Sequence, residues 1–162
     1  MQSNIKETKD NLFFILGSGR CGTTLLKSII NSHKQVCIPM ETHYYTEYKL
    51  FNFFRYYNMN KKKYQKAISQ IDNRWRHFNL SEEYEEIFKN LAQKLNPSWD
   101  SIFLAYLTAF KIQEKKNIVG EKTPGHIRRI YYLKKQYPKA KFIHIIRDPR
   151  AVVNSYLNKP DY

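Results

Sequence analysis

Three stretches of this chain carry residues that can do chemistry. The first is "GSGRCGTT", Gly17 to Thr24, directly after an apolar run. Its glycines leave backbone N–H groups open to an anion, and Thr23 and Thr24 add hydroxyl donors. A phosphate loop of pattern G-x-x-x-x-G-K-[ST] would carry lysine at residue 23, but Thr23 stands there. The positive charge sits instead on Arg20, at the crown of the loop. Arginine offers a planar fork for two oxygens, where lysine offers a point charge. Three glycines alone would suit a plain turn. The strand before them, the Thr-Thr pair and the internal arginine favour an anion site.

The second stretch is "RDPRAVVNS", in which Ser155 follows Arg147 on the next helix. Taken alone, Arg147 and Asp148 read equally well as a surface ion pair. The third group is split between Glu41 and His43, just past "QVCIPM", and Lys122 in "GEKTP". If the segment is extended, residues 41 and 43 face the same side. The plainer readings are a solvated polar pair for Glu41 and His43, and an ion pair with Glu121 for Lys122.

Elements must bring these residues together. "NLFFILG" is a short continuous apolar run, as expected of a strand buried on both faces. Thr23 to Asn31 has helical apolar spacing, and "QVCIP" reads as a second strand. The stretch from Thr42 to Tyr57, "KKKYQKAISQI" and the segments after Ser81 and Ser98 read as helices. Both serines are candidate N-caps. The helix after Ser98 carries Ile102, Phe103, Tyr106, Leu107 and Phe110 on one apolar stripe. "NIVGEK" and "KFIHII" are strands. "HIRRIYYLKKQYP" is a helix with Ile127, Ile130 and Leu133 inward, and "AVVNSYLN" opens another.

Strands at both ends with helices between them predict an α/β domain built on a P-loop-type parallel sheet flanked by helices. Residues 42–116 read as a helical insertion within a single domain over 1–162. A doubly wound sheet normally has more strands, so the sequence reads as the front part of something longer. In open α/β sheets ligands gather outside the carboxyl ends of the strands. Both basic loops belong to that edge, which suits a nucleotide with two separated phosphate groups.

Composition narrows the partners. At 42% hydrophobic residues the chain should fold rather than stay disordered. Its net charge of +14 favours an anionic partner without choosing one. Two cysteines are too few for a disulfide framework, and no Cys/His cluster suggests a metal. The polar N-terminus lacks a signal core, and no apolar run reaches the ~20 residues of a membrane span. A cytoplasmic location is expected. Arg128, Arg129, Lys134 and Lys135 read as a solvated face that also attracts an anionic ligand. No zinc-finger, RRM-like or basic-zipper pattern favours nucleic acid. The aromatic stretch "YYTEYKLFNFFRYY" reads as core, or as the wall of an acceptor pocket.

"GSGRCGTTLL", "GEKTPGH" and "FIHIIRDPRAVVNS", in this order, resemble the sulfotransferase family that uses 3′-phosphoadenosine 5′-phosphosulfate. The resemblance is greatest to the branch holding tyrosylprotein sulfotransferases and related bacterial enzymes. It implies that Ser18, Gly19, Arg20, Cys21, Gly22, Thr23 and Thr24 hold the 5′-phosphosulfate. Arg147 and Ser155 are implied for the 3′-phosphate. Cys21 replaces the serine common in the family and keeps only its backbone N–H. The resemblance also implies Glu41 as general base, with His43 as rival because other branches use histidine. Lys122 and Arg20 are implied at the reacting group. The acceptor would be a small molecule, peptide or glycan bearing a hydroxyl, phenol or amine, and no metal is expected. Family members place further nucleotide contacts later in the chain, so this portion alone would be incomplete. The competing reading is a catalytically incomplete basic domain that binds nucleotide or nucleic acid. A P-loop kinase is disfavoured by the absent lysine. A sulfuryl group carries less negative charge than a terminal phosphoryl, so an arginine and a ring of N–H donors can hold it without that lysine.

Overall fold

A computed structural model describes residues 2–47, 59–75 and 81–158 of the chain. Four parallel strands form its sheet in the order β2-β3-β1-β4: β1 Phe13–Gly17, β2 Val36–Cys37, β3 Ile118–Lys122 and β4 Lys141–Ile145. The expected α/β class with a parallel sheet is what the chain adopts. β1 is central, and all five of its residues are buried, as its unbroken apolar run required. Its side chains alternate between two layers. Phe13 and Ile15 pack with Val36 and Ile38 beneath helix α2 (Thr23–Asn31). Phe14 and Leu16 enter the larger core on the other side. There Phe14 stacks on Phe142 with ring centroids 5.3 Å apart.

Before β1 lies an unexpected helix, α1 (Gln2–Asn11). Ile5 and Thr8 are buried along it, and Lys111 reaches back to Glu7 at 3.2 Å. After β2 comes one helical turn, α3 (Tyr44–Glu47); residues 48–57 of the helix expected over 42–57 fall outside the described residues. Helices α4 (Lys61–Trp75), α5 (Glu82–Gln93) and α6 (Trp99–Gln113) follow. Ser81 and Ser98 do cap α5 and α6, each accepting a backbone N–H of the first turn.

Helix α6 corrects the one-stripe expectation. Residues 102–109 are all buried, because α6 lies between the sheet and the helices α1 and α5. The predicted helix over "HIRRIYYLKKQYP" is also corrected. It begins as a 3-10 segment, Pro124–Arg129, and becomes the α-helix α7 only at Ile130–Gln136. Helix α8 (Pro149–Leu157) takes Asp148 as its N-cap. Among the described residues no helix is long and apolar enough to cross a membrane. Both cysteines are free and buried, and burial pushes the Cys37 thiol up to about 12, where it stays protonated.

Candidate active site at the carboxyl edge of the sheet

Parallel strands end on one edge, so the segments after β1, β2, β3 and β4 deliver their residues to the same place. β1 leads into the Arg20 loop, β2 into Glu41, β3 ends on Lys122, and β4 leads to Arg147.

Two residues of the first loop are left-handed, Arg20 at φ 63° and Gly22 at φ 101°. Glycine takes that conformation freely, whereas for arginine it costs roughly 1–2 kcal/mol. Arg20 is exposed at the crown. Gly22 is the N-cap of α2 and no side chain caps that helix, so its first N–H groups point into the loop. Gly17 is needed for close packing. A Cβ there would lie 2.8 Å from the Ile145 carbonyl oxygen and 2.7 Å from Cys21 Sγ. Cys21 and Thr23 face inward and are buried, while Ser18 and Thr24 are exposed and Gly19 is half-buried.

The second basic loop lies directly against the first. Arg20 Nε donates to Ser155 Oγ at 3.0 Å, and Arg147 Nη1 donates to the Arg20 carbonyl oxygen at 3.0 Å. Tyr156 seats its hydroxyl over Gly19, where a Cβ would come within 2.1 Å. Asp148 does not pair with Arg147. It caps α8 and binds Arg150 at 2.6 Å, which holds its carboxyl below the ordinary aspartate value. The two basic loops therefore touch through the Arg20 side chain on Ser155 and the Arg147 side chain on the Arg20 carbonyl.

Glu41, His43 and Lys122 come together. Lys122 Nζ donates to Glu41 Oε1 and lies 3.3 Å from Thr24 Oγ1, in the first turn of α2. The lysine side chain is only 4% exposed. His43 Nε2 stands 3.2 Å from the other oxygen, Glu41 Oε2. Residues 41 and 43 do meet, but not through regularly extended backbone. His43 is left-handed at φ 50°, and that turn folds its ring back onto Glu41. Lys122 does not pair with Glu121 either. Neighbours on a strand point to opposite faces, so Lys122 looks into the site while Glu121 looks into the interior.

Sequence reasoning passed over Lys27. It is half-buried on α2, one turn beyond Thr23 and Thr24, and within electrostatic reach of Lys122 and Glu41. Burial and then the Lys122 charge push its ammonium below the ordinary lysine value. Helical spacing from the threonines is the signal by which it could have been found. Among the described residues no group of His, Cys, Asp or Glu is arranged to hold a metal ion.

The loop, the second basic motif and the Glu41–Lys122 pair thus share one edge, and comparison with known proteins gives that edge a family. The profile of the Sulfotransferase family matches residues 13–159. The chain belongs to the sulfotransferase family. It is also similar to protein-tyrosine sulfotransferase 1 of Danio rerio, at 27% identity over 150 residues. That match covers 91% of this chain and 36% of the relative, so the chain spans little more than a third of that protein's length.

Proposed function

We propose that this edge transfers a sulfuryl group, in line, from 3′-phosphoadenosine 5′-phosphosulfate to a hydroxyl, phenol or amine acceptor. The observation that carries the proposal is the contact of Glu41 with Lys122 beside the first turn of α2. It sets a proton acceptor and a cation next to an uncapped helix N-terminus and a glycine loop.

The donor set suits such a nucleotide. The open loop and α2 offer N–H groups to a 5′-phosphosulfate, and Arg147 and Ser155 offer charge and a hydroxyl to a 3′-phosphate. When bound, the nucleotide supplies the sulfuryl group and the leaving phosphate. The chain's residues supply the rest. Glu41 takes the acceptor's proton. Lys122 keeps positive charge where negative charge develops on the leaving oxygen. Arg20 steadies the group in transfer, and His43 holds the second oxygen of Glu41. Similarity to the protein-tyrosine sulfotransferase of Danio rerio makes a protein tyrosine one candidate acceptor.

The two ends of the nucleotide can be separated by experiment. Arg147→Ala is expected to weaken binding of adenosine 3′,5′-bisphosphate by roughly 1.5–3 kcal/mol, the range for a hydrogen bond to a charged group. Binding of adenosine 5′-phosphosulfate, which lacks the 3′-phosphate, should barely change. Titration calorimetry with both ligands checks this, and equal losses would remove Arg147 from the 3′ end.

A further inference from the structure

Behind the site lies a buried polar cluster that the proposed chemistry does not use. Glu121 and His126 are both 0% exposed. A carboxylate in the interior is costly unless every oxygen is satisfied. Here each one is. Glu121 Oε1 accepts from Thr42 Oγ1 at 2.9 Å, from Thr123 Oγ1 at 2.5 Å and from the Thr42 N–H at 3.4 Å. Oε2 accepts from His126 Nδ1 at 2.8 Å. Burial alone would push this carboxyl up. Against that cost stand the hydrogen bonds that His126, Thr123 and Thr42 donate to it, which favour the charged carboxylate.

The cluster ends on the backbone next to Glu41. Thr42 N–H reaches Glu121 itself, and His43 N–H reaches Thr123 Oγ1 at 3.2 Å. Tyr44 N–H reaches Thr42 Oγ1 at 3.2 Å, and Tyr45 N–H reaches His126 Nε2 at 3.1 Å. Consecutive N–H groups from 42 to 45 are thus all received by side chains joined through one carboxylate. These bonds hold His43 in its left-handed turn and fix the direction in which the chain leaves Glu41. Lys122 follows Glu121 directly on β3. One strand end therefore sets both the backbone beside the carboxylate and the cation it meets.

We infer that Glu121 is a positioning residue for the Glu41–Lys122 pair, acting through His126, Thr123 and Thr42. The inference rests on Glu41 and Lys122 being the reacting pair. Proton placement makes it testable. His126 Nε2 accepts from Tyr45 N–H, so the ring proton sits on Nδ1 and faces Glu121. In Glu121→Gln the new amide N–H₂ takes over one oxygen's place. If it faces His126, a donor meets a donor, and turning the tautomer moves the conflict to Tyr45 N–H. If the amide is reversed, it faces the hydroxyls and N–H of Thr42 and Thr123 instead. Shape is kept and the network is broken.

The test uses the full-length protein, with Glu121→Gln as the first variant and Thr42→Val, with Thr42→Ser as its rescue, as the second. Hydrogen exchange of the amides at 42–45 should quicken at least tenfold in Glu121→Gln and Thr42→Val, while β1 and α6 keep their protection. Turnover of the folded protein should fall roughly 10- to 100-fold, with the acceptor KM and the affinity for adenosine 3′,5′-bisphosphate within about twofold of the parent. Thr42→Ser should restore both exchange protection and turnover. If Glu121→Gln does not fold, the threonine pair decides alone. Faster exchange with unchanged turnover would reduce Glu121 to a structural role and overturn the inference. Failure of Thr42→Ser to restore turnover would do the same. Normal turnover in Glu41→Gln would overturn the catalytic pair and the inference with it. Slow Glu41→Gln beside normal Glu121→Gln and Thr42→Val would overturn the positioning role alone.

Discussion

Replacing Glu41 by glutamine is expected to slow turnover by about 10²–10⁴, the usual range for loss of a general base. The change keeps size and much of the hydrogen bonding and removes basicity. Nucleotide affinity should stay near the parent value, because Glu41 contacts Lys122 and His43 rather than the Arg20 loop. His43→Ala should retain most of the activity. In this geometry His43 supports the second carboxylate oxygen instead of competing for the acceptor's proton. Single-turnover kinetics with saturating donor separates the outcomes. Near-normal rates in Glu41→Gln with loss in His43→Ala would reverse the two assignments.

Lys122→Met should cost turnover about 10²–10³-fold, comparable to deleting one donor from a preorganised charge-stabilising site. Methionine keeps much of the buried stem and removes the charge, so the fold should persist. Glu41 is left beside partial solvent rather than sealed in the core, since its side chain is 31% exposed. Because Lys122 touches Glu41, the two losses should not multiply in the Glu41→Gln/Lys122→Met double variant. A double-mutant cycle measures that coupling, and strictly additive losses would mean that the two residues act independently. Lys122→Arg should recover only part of the rate, because its fork cannot occupy the place of a point charge without moving Thr24 or Glu41.

What the sequence made legible was local. The apolar run of β1, the helical spacing of α2 and the caps at Ser81 and Ser98 are written in neighbouring residues, and the structure has them. So is the glycine loop with its displaced cation. The N-terminal helix was missed because its composition is polar. Ile5 and Thr8 become a buried stripe only when packed on α6 and β3. The 3-10 start after Thr123 was missed because helical periodicity says nothing of a tight turn following Pro124. In the site, motif position led to Glu41, Arg20, Lys122 and Arg147. The pairing of Lys122 with Glu41 in place of Glu121 depends on strand alternation and on a contact 81 residues apart in sequence. Separations of 79 to 81 residues likewise hid the bonds from Glu121, Thr123 and His126 to the segment 42–45. A glutamate and a histidine in "GEKTPGH" carry no local sign that they will be buried together, or that they will hold the backbone of residues 42–45.

We propose that this edge is built for a bisphosphorylated adenosine nucleotide and not for a metal-bound triphosphate. Titration calorimetry of the full-length protein with adenosine 3′,5′-bisphosphate, run against ATP with Mg²⁺, tests it most directly. A saturable isotherm is expected for the bisphosphate, undiminished by excess chelator, with no binding of ATP with Mg²⁺ at the same concentrations. Tight binding of ATP with Mg²⁺ and none of the bisphosphate would contradict it.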